Sequence, residues 1–72
     1  MLPTSFKPGV ILIVNSINYT LQSQGWVVGD FGIMHRSTDS EWIIVIRERD
    51  GYVGTYHYEF LIYIMKVSLI TL

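Results

Sequence analysis

Few side chains in this chain have the types and spacing for chemistry. His35 and His57 are its two histidines. Together with a carboxylate such as Asp30 or Glu59 they have the donor types of a metal site. A metal needs those donors to converge, and the two histidines end strands that need not be neighbours, so they read as surface imidazoles. The serines are spread over loops, with no G-x-S-x-G and no base at a recognisable spacing. Gly29-x-x-Gly32 lacks the third glycine and the following helix of a dinucleotide loop. No G-x-x-x-x-G-K followed by Ser or Thr is present to cradle a phosphate. The two glycines read as points of backbone curvature. The chain has no cysteine, which excludes disulfides and zinc–thiolate sites. The expectation is a protein that is not an enzyme, with no cofactor and no metal.

Binding chemistry is better represented. Arg47-Glu48-Arg49-Asp50 alternates in charge, the mark of a solvated turn whose charges block edge pairing. With Arg36 and Lys7 the arginines could form a small basic patch beside Tyr52 and Trp26, and aromatics next to arginines can stack bases. A net charge of −1 gives no overall attraction to phosphate. The aromatics Tyr19, Trp26, Phe31, Tyr52, Tyr56, Tyr58 and Tyr63 exceed what one small core needs, and surplus Tyr and Trp on a small surface are typical of interaction hot spots. The expected contact surface is Trp26, Phe31, Ile43, Val45 and Tyr52, with Arg47 and Arg49 at its rim. It fits a small protein-binding module that docks on, and modulates, a larger protein. The alternative is a nucleic-acid or ribonucleoprotein-associated module using Arg36, Arg47 and Arg49 with the same aromatics.

The elements that must position these residues are strands. Seventy-two residues make one domain, near the lower limit at which a single core folds alone. Half of the residues are hydrophobic and 14% are aromatic, which excludes disorder. Many are Ile, Val, Tyr, Phe and Trp, the types that pack a pleated sheet. A small domain without staples gains stability by self-association.

Residues 1–7 form an irregular lead-in to a turn at Lys7-Pro8-Gly9. Val10–Val14 is one short buried strand. Asn15–Gln24, polar with Ile17, Tyr19 and Leu21 alternating, is a long, partly structured loop. Gly25–Arg36 is the second strand, bent at Gly29 and Gly32. Val27, Phe31 and Ile33 lie on one parity, and Trp26, Val28 and Met34 on the other. Ser37-Thr38-Asp39-Ser40 is a turn cluster. Glu41–Arg47 is the clearest strand, apolar on both faces: Trp42, Ile44 and Ile46 on one, Ile43 and Val45 on the other. Asp50-Gly51 signals a hairpin to a partner strand over Tyr52–His57. Tyr58-Glu59-Phe60 forms a single helical turn, and Leu61–Met65 is the closing strand. Val67–Leu72 extends it or pairs with a neighbouring chain's sheet edge. No run with 3.6-residue spacing points to a longer helix.

No stretch reaches the ~18–20 uninterrupted apolar residues of a transmembrane helix, and the N-terminal residues lack the layout of a signal peptide. The expectation is a cytoplasmic protein with no membrane partner. Asn18-Tyr19-Thr20 fits a glycosylation sequon, but nothing else in the chain points to secretion.

Lys7-Pro8-Gly9-Val10, Gly29-Asp30-Phe31-Gly32-Ile33, Glu41-Trp42-Ile43-Ile44-Val45-Ile46, Gly51 to His57 and Tyr58-Glu59-Phe60-Leu61 follow one another as "PG-V, G-x-x-G-I, W-x-V, a turn, Y-x-x-x-x-L". Over residues 7–65 this resembles the SH3-like barrel superfamily in its small stand-alone bacterial and phage form, and the glycine step is similar to that of KOW-type modules. The resemblance implies a five-stranded all-β barrel over about 7–65, with residues 66–72 as an apolar C-terminal strand extension. It also implies a stand-alone accessory or host-targeting factor of the kind found in phage genomes. The acidic first loop and paired tryptophans of peptide-binding SH3 domains are absent, so no proline-rich ligand is carried over.

Overall fold

The computed structural model describes residues 2–71; Met1 of the lead-in and Leu72 of the tail lie outside them. The strands are β1 (Ile11–Ile13), β2 (Phe31–Ser37), β3 (Trp42–Arg47), β4 (Val53–His57) and β5 (Ser68–Ile70). Two short helices, α1 (Tyr19–Ser23) and α2 (Tyr58–Tyr63), join β1 to β2 and β4 to β5. All strands lie in one antiparallel sheet of order β4-β3-β2-β1-β5. The all-β expectation holds coarsely, but the expected closure into a barrel does not: the sheet is open, with β4 and β5 at its edges. No helix among the described residues is long and apolar enough to cross a membrane.

The β2–β3–β4 meander follows the expected turn chemistry. Asp39 Oδ1 accepts the backbone N–H groups of Glu41 and Trp42 at 2.8 and 3.1 Å, turning the chain into β3. At the Asp50-Gly51 hairpin the N–H of Gly51 donates to the Arg47 carbonyl at 2.8 Å, and that of Arg47 to the Tyr52 carbonyl at 2.7 Å.

Three local expectations are corrected. Within Asn15–Gln24, residues 19–23 are helical. Asn18 caps them, its side chain accepting the Leu21 N–H at 2.9 Å, and Leu21 is carried into the core. An Asn N-cap satisfies one of the donors that a first helical turn leaves orphaned. The second strand begins at Phe31, not Gly25, because Val27-Val28-Gly29-Asp30 is a tight turn. It is closed by the Asp30 N–H donating to the Val27 carbonyl at 3.1 Å, with Gly29 at φ +96°, where a side chain would be strained.

The third correction is at the C-terminal side. Leu61–Met65 is not a strand: α2 continues to Tyr63, and Leu61 and Met65, four residues apart, are both buried. An uninterrupted apolar run carries no periodicity to tell helix from strand. The fifth strand is instead Ser68–Ile70. It folds back on β1 of its own chain, pairing Ile11 with Ile70 and Ile13 with Ser68.

The core lies between the inner sheet face and the two helices. Leu12, Met34, Ile43, Val45 and Tyr56 come from the strands, Leu21 and Leu61 from the helices, and Phe6, Val10, Val14, Trp26 and Met65 from the connections. β3 settles the register. Ile43, Val45 and Arg47 point inward and are buried, while Trp42, Ile44 and Ile46 point outward. On β2, Gly32 and Met34 point inward and Phe31 and Ile33 outward.

Candidate protein-interaction surface

The seven residues expected to form one contact surface separate. Phe31, Arg49 and Tyr52 are solvent-accessible; Trp26, Ile43, Val45 and Arg47 are interior, between 0% and 3% exposed. Ile43 and Val45 face the core because they share the inward parity of β3, and a one-residue difference in facing exchanges the two sets.

Arg47 also points inward, and its charge is fully met there. Its Nε and Nη2 donate to the two carboxylate oxygens of Asp50, each at 2.8 Å, and Nη1 donates to the Gln24 carbonyl at 2.9 Å. The guanidinium lies 4.9 Å from the Trp26 ring centroid and 4.7 Å from that of Tyr52. A planar fork suits this bidentate, stacked position. Beside it, Arg49 donates to Asp30 through Nη2 at 2.9 Å and Nε at 3.2 Å, and to the Gly25 carbonyl at 2.7 Å. Asp30 further accepts the Val27 N–H at 3.0 Å. The Arg49 hydrogen bonds hold the Asp30 carboxyl below the usual carboxylate range, and those of Arg47 do the same for Asp50. The two arginines thus tie residues 24–30 to the β3–β4 hairpin. Lys7, Arg36 and Lys66 are the basic side chains with no carboxylate partner among the described residues.

Trp26 is equally committed. Its indole N–H donates to the Tyr56 hydroxyl at 2.9 Å, and that hydroxyl donates to Gln24 Oε1 at 2.7 Å. Burial pushes the Tyr56 phenol up.

A cleft of about 240 Å³ opens between α1 and the β4–α2 corner, walled by Trp42, Tyr56, His57 and Phe60. The Tyr56 and Phe60 rings stack at 5.8 Å, and Trp42 meets His57 edge-on at 5.3 Å. Its volume falls short of the roughly 300–1,000 Å³ of small-molecule sites. His57 Nδ1 accepts the Glu59 N–H at 3.1 Å and caps α2. His35 lies on β2 and His57 on β4, with β3 between them. Among the described residues, no group of three His, Asp or Glu side chains could hold a metal.

The outer face of the sheet is the unusual surface. The cross-strand pairs Ile70–Ile11, Ile11–Ile33, Ile33–Ile46 and Ile46–Val53 line up one outward side chain from every strand. These five aliphatic residues form an unbroken row across the sheet. Val53 is 58% exposed, Ile70 43% and Ile33 39%. Flanking it are Ile13 and Phe31 on one side and Ile44 on the other. A solvated face of an antiparallel sheet normally carries polar residues; here the central row is wholly aliphatic, and the exposed polar residues Ser68, Glu48, Arg36 and Thr55 stand only in the rows beside it. The apolar alternation of β3 is visible in the sequence. Only the inward Arg47 hides which half is outside, because a charge at the end of a strand reads as exposed.

Compared with known proteins, the chain matches no family model, no curated protein and no solved structure.

Proposed function

We propose that this chain is a small non-enzymatic protein-binding module, and that it docks through the outer face of its sheet. The observation that carries this reading is the five-residue aliphatic row, one residue from each strand, in which Ile33, Val53 and Ile70 are exposed and Ile11 and Ile46 half-buried. Contiguous apolar patches of more than a few hundred Å² are rare on monomers and mark interaction sites. Phe31 adds an aromatic ring to the patch, the residue type that anchors interfaces. Arg47 and Arg49 serve Asp50 and Asp30, which favours protein binding over the nucleic-acid alternative. The five antiparallel strands fit an SH3-like reading only coarsely, because the sheet is open and not closed into a barrel.

The test is capture of binding proteins by tagged chain, with nuclease present, compared with a Phe31→Asp variant shown by circular dichroism to be folded. Loss of the captured protein is expected. A folded variant that holds the same partners would overturn the assignment of this face.

A further inference from the structure

Resting on the protein-binding reading, the geometry points to a second copy of this chain as the partner, packed face to face about a two-fold axis that runs along the aliphatic row. Rotation about that line lays the row on itself, so that Ile33 meets the partner's Ile33 and Ile46 the partner's Ile46. An isologous contact requires this self-complementarity.

The flanking rows select this axis over the other in-plane choice. On one side of the row the outward residues are Ile13 and Phe31, with Glu48 next to Phe31, its N–H donating to the Phe31 carbonyl at 3.0 Å. On the other side are Arg36 and Ile44, which are cross-strand partners. The irregularity between Met34 and Arg36 absorbs one residue of β2. It puts Arg36 as far from the row as Ile44, two residues along β3, and so as far as Phe31 and Glu48 lie on the opposite side. Rotation about the row therefore brings Arg36 over the partner's Phe31 and beside the partner's Glu48. That is a cation–aromatic contact and an ion pair, made twice. Rotation about an axis along β2 would instead set Arg36 against the partner's Arg36. Both Arg36 and Glu48 are exposed and have no ion-pair partner within the chain among the described residues.

The area fits only a weak, transient dimer. With strands about 4.8 Å apart and outward residues about 6.8 Å apart along them, the outward positions that the three rows fill give a face of roughly 400 Å² per copy. Two copies bury about 800 Å², the size of a weak, transient contact rather than of a permanent interface. Aligned packing of two such faces would leave the usual interior about 10 Å thick.

Sedimentation velocity from about 5 to 500 µM tests the proposal. The unmodified chain is expected to shift from monomer to dimer across this range, and Ile33→Glu to remain monomeric. Should Ile33→Glu unfold, Val53→Glu on the exposed edge strand takes its place. Arg36→Glu and Glu48→Arg should each weaken association about tenfold, and the two together should restore it. A chain that stays monomeric throughout, a dimer indifferent to Ile33→Glu, or a double exchange no better than the single ones would each overturn the proposal. If the chain is monomeric yet Phe31→Asp still loses a captured protein, the self-pairing fails and the docking face stands. If the variant loses nothing, both fail.

Discussion

Gly32 faces inward on β2 opposite Arg47 of β3 and Leu12 of β1, and the packing over it predicts the outcome of a double-mutant cycle. A methyl group placed on Gly32 would lie 2.6 Å from Val45 Cγ1 and 3.5 Å from the Trp26 ring. The first distance is far inside van der Waals contact, and Val45 is 1% exposed, so neither group can step aside. Overpacking of this kind costs about 2 kcal/mol, and a domain of this size loses roughly 8–16 °C in Tm for that amount. Val45→Ala alone opens a cavity and costs about 2–3 kcal/mol. In Gly32→Ala/Val45→Ala, the new methyl enters the space that the valine leaves. The double variant should then be no less stable than Val45→Ala alone, a coupling of about 2 kcal/mol in favour of the pair. Urea unfolding of the four proteins, followed by tryptophan fluorescence and fitted with a common m value, measures it. Additive losses would show that Gly32 is required for some reason other than the close approach of Val45.

Two further outcomes follow from the buried polar groups. Tyr56→Phe leaves the Trp26 indole N–H, at a residue 1% exposed, without its acceptor. It should cost about 2 kcal/mol, read as a lower urea midpoint; an unchanged midpoint would mean the indole has found another acceptor. Acid should unfold the protein through Asp30 and Asp50, whose carboxyls are held below their ordinary range. Folded-state values lowered in this way add stability that is fully present above the ordinary carboxylate value of about 3.9, and that is lost as pH falls through the depressed values. Asp30→Asn should therefore be less stable than the parent at neutral pH and lose less on acidification, as followed by circular dichroism between pH 6 and 2.

The meander was legible because its signals are local. The alternating run of β3, the Asp50-Gly51 turn and the Ser37–Ser40 cluster each act within a few residues, and the structure follows them. The start of α2 was legible for the same reason. Its end was not, because Leu61-Ile62 and Ile64-Met65 are apolar in every register and packing alone decides that Leu61 and Met65 share a face. The candidate surface was half legible. Its composition showed in β3, but its facing depended on Arg47, whose burial is possible only because Asp50, Gln24, Trp26 and Tyr52 surround it. Of these, Gln24 and Trp26 lie more than twenty residues away, beyond the reach of any local pattern.

The pairing of β5 with β1 sets the order in which the sheet can assemble. β2, β3 and β4 are joined by short turns, so each pairing there closes a small loop. β1 and β5 bring together Ile11 and Ile70, and three residue pairs must offset the entropy of closing a loop that contains most of the chain. Contacts of such long range form late. The aliphatic row is therefore expected to grow from the middle of the meander outward, with Ile46 joined to Ile33 and Val53 first. Ile70 completes it only when the longest loop in the molecule has closed.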